Sequence, residues 1–216
     1  MLDVHPPHEA AHGWRDILIH LATITIGLVI ALSLEGCVEW QHHRHLVREA
    51  RENIRSEITD NRKEVEGAID TIHKEQAEMK QDVAALVVLR KDLRTQGLRV
   101  TLAFSTVSLP SASWNTARDT GALGYMDYPE VKSYAQLYDL QTLFANQTVR
   151  VTGAYTRSFS LMSAFDADVK ASNAIQKQDV DAALQNVLAV QAELLVYEAT
   201  AKELDKNYAE VLQKQH

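Results

Sequence analysis

Apolar and polar positions along the chain change pattern four times, and each change predicts an element. From Ile17 to Leu34 (ILIHLATITIGLVIALSL) there is no formal charge, and only His20, Thr23, Thr25, Gly27 and Ser33 interrupt the apolar run. A hydrocarbon core of about 30 Å takes roughly 20 helical residues at about 1.5 Å each, and the uncharged Gly36–Val38 lengthens the stretch. Residues 16–38 are therefore expected to form a single transmembrane helix, with Trp14 and Trp40 as interfacial anchors at its two ends. The alternative, a buried core helix of a soluble protein, is disfavoured because such helices rarely run this far without charge.

Beyond Glu39 the pattern becomes a charged helix with a seven-residue apolar repeat at Ile58, Val65, Ile72, Met79, Leu86 and Leu93, thickened by Ile54, Ala68, Ile69, Val83 and Leu89. It is expected to reach about Thr95, before Gly97 breaks it. Asn61, Glu75 and Asp82 stand where a strict zipper would carry Leu, which favours packing against helices of the same chain over a two-stranded coil. Residues 98–110 alternate Val100, Leu102 and Phe104 with small or hydroxyl side chains, as an extended connector closed by Pro110 does. A short helix around Trp114–Ala122 follows, capped by Ser111 or Ser113 and stopped by Gly121 and Gly124.

Pro129 suits the first turn of the next helix, which runs to about Lys170 with Val131, Tyr134, Tyr138, Phe144, Tyr155, Met162 and Phe165 on its apolar face. Asp179 is expected to cap a last helix to about Gln213, striped with Ala183, Val187, Leu194, Leu195, Leu204, Tyr208 and Val211. The predicted fold is all-α. A transmembrane helix continues into an elongated antiparallel bundle of three long helices with a short elbow helix at its far end. The domains are a His-rich tail (1–15), the span (16–38) and the bundle (39–216).

Composition narrows the function classes. Four Pro and eight Gly exclude fibrous and low-complexity chains, and a single Cys excludes an internal disulfide. Twenty-two Lys plus Arg against 29 Asp plus Glu leave a net charge of -7, which argues against a nucleic-acid partner because phosphate neutralisation needs a cationic surplus. The box Leu34-Glu35-Gly36-Cys37 is a poor lipoprotein signal, since Glu35 stands where a small or apolar residue belongs and Arg15 is the only cation upstream. A permanent anchor is expected. Arg15 precedes the span whereas Arg44, Arg48, Arg51 and Arg55 follow it, so the positive-inside rule places the carboxyl-terminal domain in the cytoplasm.

Within the span, His20, Thr23, Gly27, Ala31 and Glu35 lie on one helix face at spacings of three and four. Such a row of small side chains lets another helix approach. His20 would default to a functional role in hydrocarbon, as a proton relay, ligand or interhelical hydrogen bond. Only four residues inside Asp16, however, it sits near the headgroups, which favours a neutral interfacial side chain.

Two motifs suggest chemistry. His8-Glu9-Ala10-Ala11-His12 satisfies H-E-x-x-H, the spacing with which two His on one helix face hold zinc beside a general-base Glu. Proteolysis is nevertheless disfavoured, because the motif follows Pro6-Pro7 in a short tail with no third ligand or cleft. Seven of the nine His lie within the first 45 residues, and copies of His5, His8 and His12 brought together by oligomerisation would make a metal or haem site. Headgroup contact is the simpler reading of those side chains, so no cofactor is expected. Five of the fourteen aromatics (Trp114, Tyr125, Tyr128, Tyr134 and Tyr138) crowd the elbow near Arg118 and Asp119. There Trp114, Arg118, Tyr125 and Tyr134 form a candidate ligand site, against the commoner reading of an aromatic plug.

The stretch WRDILIHLATITIGLVIALSLEGCVEW with HHRHLVREARENIRSEITDN, together with Trp114–Ala117, Thr120–Leu123 and Tyr134–Tyr138, resembles a widespread set of bacterial single-span membrane proteins with no assigned activity. The resemblance covers most of the chain and implies an inner-membrane location, but carries no catalytic residues with it. The expected function is non-enzymatic: an oligomeric scaffold or accessory subunit of an inner-membrane complex. Its expected partners are the lipid bilayer and either further copies of itself or other membrane-protein subunits.

Overall fold

The computed structural model describes residues 13–94, 103–170 and 175–214, the side chains of 160–170 excepted. Among the described residues there is no strand, and the elements are α1 (Trp14–Lys91), α2 (Ala112–Asp119), a 3-10 turn (Ala122–Tyr125), α3 (Tyr128–Lys170) and α4 (Lys177–Gln213). The chain divides into two compact units at Glu49 and Ala50.

In the first unit α1 begins at Trp14 and meets no Pro, the residue that most reliably breaks a helix. Every residue from Gly13 to His42 is exposed. Thr23, Thr25 and Ser33 turn their hydroxyls back onto the carbonyls of Ile19, Leu21 and Val29, at 2.8, 2.8 and 2.7 Å. The polar side chains of the apolar run are thereby satisfied within the helix itself.

In the second unit α1 ends at Lys91, four residues short of the expected Thr95. Arg90 and Lys91 place positive charge against its carbonyl end, and Asp92 accepts the Arg94 N–H in a tight turn at 3.0 Å. The predicted seam is the buried one: Ile54, Ile58, Val65, Ile72, Met79, Leu86 and Leu89 are all core. So are the three polar interruptions, with Asn61 1%, Glu75 6% and Asp82 4% exposed.

Cross-helix bonds give the pairing order. Toward α3, Arg51 meets Glu130 and Asn61 meets Gln141, so numbers rise together. Toward α4, Arg62 meets Asp205, His73 meets Glu198 and Arg90 meets Asp181, so they run opposite. Between α3 and α4, Gln141 meets Tyr208 and Gln147 meets Glu193, again in opposite order. The α4 side chains that turn inward, from Val180 through Ala183, Val187, Val190, Leu194, Tyr197, Ala201, Leu204 and Tyr208 to Val211, repeat at three and four. That spacing keeps one narrow stripe in continuous contact with its neighbours.

Three local expectations are corrected. Leu195 is 57% exposed, because it follows Leu194 by one residue and so lies about 100° round the helix from the stripe. Asp179 is not the cap of α4: Gln176 holds that position, and Asp179 is its partner three residues on, accepting the Gln176 N–H at 3.1 Å. Ser111 occupies the cap position of α2 but makes no side-chain cap bond there. Gly121 does end α2 as expected, with φ 78°, a left-handed conformation that other residues adopt only under strain.

The connector Ala103–Ser111 is extended and fastened to α1 and α3 by side chains. Ser105 N–H reaches Glu75 at 2.8 Å, Leu109 and Pro110 carbonyls accept from Gln141 at 2.9 and 3.1 Å, and Pro110 accepts also from Asn61 at 2.8 Å. Asn61→Ala should lower unfolding free energy by about 1–3 kcal/mol in urea titration, since it strips a donor from the buried Gln141 Oε1 and the part-buried Pro110 carbonyl. Leu195→Gln should stay within about 0.5 kcal/mol of wild type in the same measurement, as exposed positions do.

Candidate functional site

On the first unit, the predicted face lies along one side of α1, and among the described residues nothing packs against it. His20 Nδ1 lies 2.9 Å from the Asp16 carbonyl, so its ring is used locally. A Cβ placed on Gly27 would meet no atom within 4 Å, and Thr23, Ala31 and Glu35 are likewise exposed. Trp14 and Trp40, at the ends of the apolar run, each carry an arginine over the ring: Arg15 at 5.9 Å and Arg44 at 4.6 Å. An indole with a cation on its face presents the amphipathic surface that headgroups favour. The α1 helix is long and apolar enough to cross a membrane. His5, His8 and His12 lie outside the described residues, and among those described no group of His, Cys, Asp or Glu is arranged to hold a metal ion.

On the second unit, the elbow residues are divided. Trp114 stacks on Tyr138 with ring centroids 5.3 Å apart and an angle of 10°. Together with Arg118 it lines a groove of about 1130 Å³ between the connector, α2 and α3, to which Thr142, Val149 and Thr152 of α3 also contribute. Tyr134 is fully buried, its hydroxyl 3.4 Å from Glu130, while Tyr125 stands half in solvent; neither lines the groove. Arg118 is exposed and pairs with its neighbour Asp119 at 3.2 Å. The structure thus brings Trp114 and Arg118 to one groove and sets the Tyr134 ring obliquely against the Trp114 indole at 6.3 Å, outside the groove lining, which Tyr125 does not join either.

The most organised chemistry lies in a polar network that no single motif announces. Glu57, 9% exposed, accepts from the Ser113 N–H at 2.8 Å, the Trp114 N–H at 3.5 Å and the Tyr138 hydroxyl at 2.6 Å. Its carboxylate does for α2 what the Ser111 side chain does not, satisfying two free amides at the positive end of the helix. Gln141 uses its whole amide: Oε1 accepts from Tyr208 and Asn61, and Nε2 donates to the two connector carbonyls. Burial pushes the Tyr138 hydroxyl well above its ordinary range, with the bond to Glu57 adding to the rise, and burial does the same for Tyr208. Both phenols are therefore fixed donors across the physiological range.

Further along, Phe104 of the connector stacks on Tyr155 at 4.5 Å and meets Tyr197 obliquely at 6.5 Å. Tyr197 in turn stacks on Phe144 at 4.8 Å. Beside this cluster Glu75 is pushed up to about 7, chiefly by burial, against the lowering effect of its Ser105 bond. The available signal for the network was the polar residue at every seventh or fourteenth position of the seam, Asn61, Glu75 and Asp82. Nothing in the spacing showed that connector main chain would meet the first two.

At the surface, Glu198 is held down to about 2 by bonds from Lys202, then Gln76 and His73, so a carboxylate of α4 is charged whenever the protein is near neutral pH. A carboxylate lowered from its ordinary value of 4.5 adds stability that is fully present above that value. That contribution is lost as pH falls through about 2. Thermal unfolding should therefore show Glu198→Gln less stable than wild type at pH 7, with the gap closing between pH 4.5 and about 2.

Comparison of the chain with protein-family models, with curated proteins and with solved structures finds no match.

Proposed function

We propose that this protein is a non-enzymatic, membrane-anchored helical protein of the bacterial inner membrane, acting as an oligomeric scaffold or as an accessory subunit of a membrane complex. One observation carries the reading. From Gly13 to His42 every side chain is exposed, although Ile17–Leu34 is almost wholly apolar, so no part of the described chain covers this stretch. A soluble core helix would be wrapped by its own protein, whereas a helix covered by lipid or by another chain is left bare in this way.

The Trp-plus-Arg pairs at the two ends support a crossing over a surface-lying helix, and the intrahelical bonds of Thr23, Thr25 and Ser33 remove the penalty of bare hydroxyls in hydrocarbon. On this reading the single span serves as anchor and contact surface. Its face of His20, Thr23, Gly27, Ala31 and Glu35 pairs with a second helix through close backbone approach. The cross-helix bond order, with α4 opposed to both α1 and α3 and those two running together, supports a three-helix bundle, and the arginines after the span support a cytoplasmic place for it.

A second reading rests on the groove beside Trp114 and Arg118: a sensor in which an aromatic or anionic small molecule stacks and pairs there. It predicts a ligand-dependent thermal shift that Trp114→Ala removes.

For the leading reading, the purified chain should require detergent and should crosslink into discrete oligomers in detergent micelles. Gly27→Ile places a branched side chain on the close-approach face and should reduce that crosslinking severalfold without altering helix content by circular dichroism. Unchanged crosslinking would refute pairing through this face, and a chain monodisperse without detergent would refute the anchor.

A further inference from the structure

Glu75 is a carboxylate that the scaffold and groove readings leave unused, and its setting is unusual. The side chain projects from the seam of α1 and is 6% exposed. Oε1 accepts the Ser105 N–H of the connector at 2.8 Å, while Oε2 is buried with no hydrogen-bond partner. Among the described residues the titratable groups that face it are Glu78 from α1, Tyr155 from α3 and Tyr197 from α4, and Asp82 of α1 acts on the same Tyr155. All are acidic or phenolic, and among the described residues no cation is paired with Glu75. The Tyr155 hydroxyl is itself buried without a partner, and its ring carries the stacked Phe104 of the connector.

An ionised carboxylate in this place has one charge, one donor and one dry oxygen. Its single bond from Ser105 favours the anion, but withdrawal from water and the neighbouring carboxylate of Glu78 oppose it. When the connector lifts, water reaches Oε2 and the anion is no longer penalised. Closed and lifted states therefore differ in proton affinity at one group.

We propose that Glu75 is a proton-operated latch on the connector: neutral, it lets Phe104 and Ser105 stay seated against α1, α3 and α4, and ionised, it releases them. The direction follows from linkage. The seated state holds its proton up to about pH 7, whereas a solvated Glu75 releases it near the ordinary value of 4.5. Seating is thus fully favoured below that ordinary value and is lost as pH rises through about 7. The device lies at the end of the connector away from the Glu57, Asn61 and Gln141 network, so release there leaves Leu109 and Pro110 tied down.

Hydrogen–deuterium exchange of the full-length chain in detergent micelles, followed on the peptide containing Ser105 and corrected for intrinsic exchange, tests the latch. Between pH 6 and pH 8 the opening equilibrium of that segment should rise by roughly tenfold, from the two proton affinities. In Glu75→Gln, which keeps an acceptor for Ser105 but has no charge, the corrected exchange should be independent of pH. Glu78→Gln should move the midpoint to lower pH. A flat wild-type profile, or the same rise in Glu75→Gln, would overturn the proposal. Should Glu75→Gln not fold, Glu78→Gln decides the matter, a lowered midpoint supporting the latch and an unmoved one overturning it.

Discussion

A polar atom is costly to bury unless it finds a hydrogen-bond partner, and in the second unit that cost organises much of the packing. A seam of pure leucine and isoleucine would pack α1 against any apolar stripe in several registers. Instead Glu57, Asn61 and Glu75 sit in the seam, and each must be met by a specific donor or acceptor. The connector and the first turn of α2 supply them as main chain: the Ser113 and Trp114 amides of α2 for Glu57, the Pro110 carbonyl of the connector for Asn61 and its Ser105 amide for Glu75. Residues 61 and 75 are about 21 Å apart along a helix, and residues 105 and 110 about 17 Å apart in an extended chain, so one straight segment serves both. A one-residue slip would leave several groups unsatisfied at once, at about 1–3 kcal/mol each.

Aromatic packing then uses the position so defined. Because Ser105 is tied to Glu75, the adjacent Phe104 reaches the rings of Tyr155 and Tyr197. Because Ser113 and Trp114 are tied to Glu57, the indole lies flat on Tyr138, whose hydroxyl bonds to the same carboxylate. The first unit follows a different rule. Its helix needs no tertiary partner to satisfy its backbone, and its hydroxyls bond back one turn, so it is internally complete yet apolar on every face. No described part of the chain covers this helix, which is why its function is read as anchoring and contact.

Two carboxylates show how environment, not residue type, sets charge. Glu198 sits among Lys202, Gln76 and His73 and is held far below its ordinary value, while Glu75, with one amide and acidic neighbours, is pushed up toward neutrality. The local sequence shows part of the difference, since Lys202 lies one turn beyond Glu198 in α4 whereas Glu75 interrupts an apolar seam. The rest comes from tertiary placement: Glu198 also meets Gln76 and His73 of α1, whereas Glu75 is buried beside the phenol rings of Tyr155 and Tyr197.

Local periodicity was enough to determine the helices, the apolar run and most of the core. Residues three and four apart share a helix face whatever surrounds them, so Ile58, Val65, Ile72, Met79 and Leu86 could be assigned to the interior, and Pro110 and Gly121 to breaks. The same logic misplaced Leu195, one step off its stripe, and credited Ser111 with a cap that Glu57 provides from 54 positions earlier in the chain. It marked Asn61 and Glu75 as anomalies without saying what they meet, and grouped Trp114, Tyr125 and Tyr134 without showing that of the three rings only the indole lines the groove. Those matters were decided by tertiary structure alone, since a carbonyl or amide of the main chain belongs to every residue type and leaves no trace in the sequence of the side chain that will bind it.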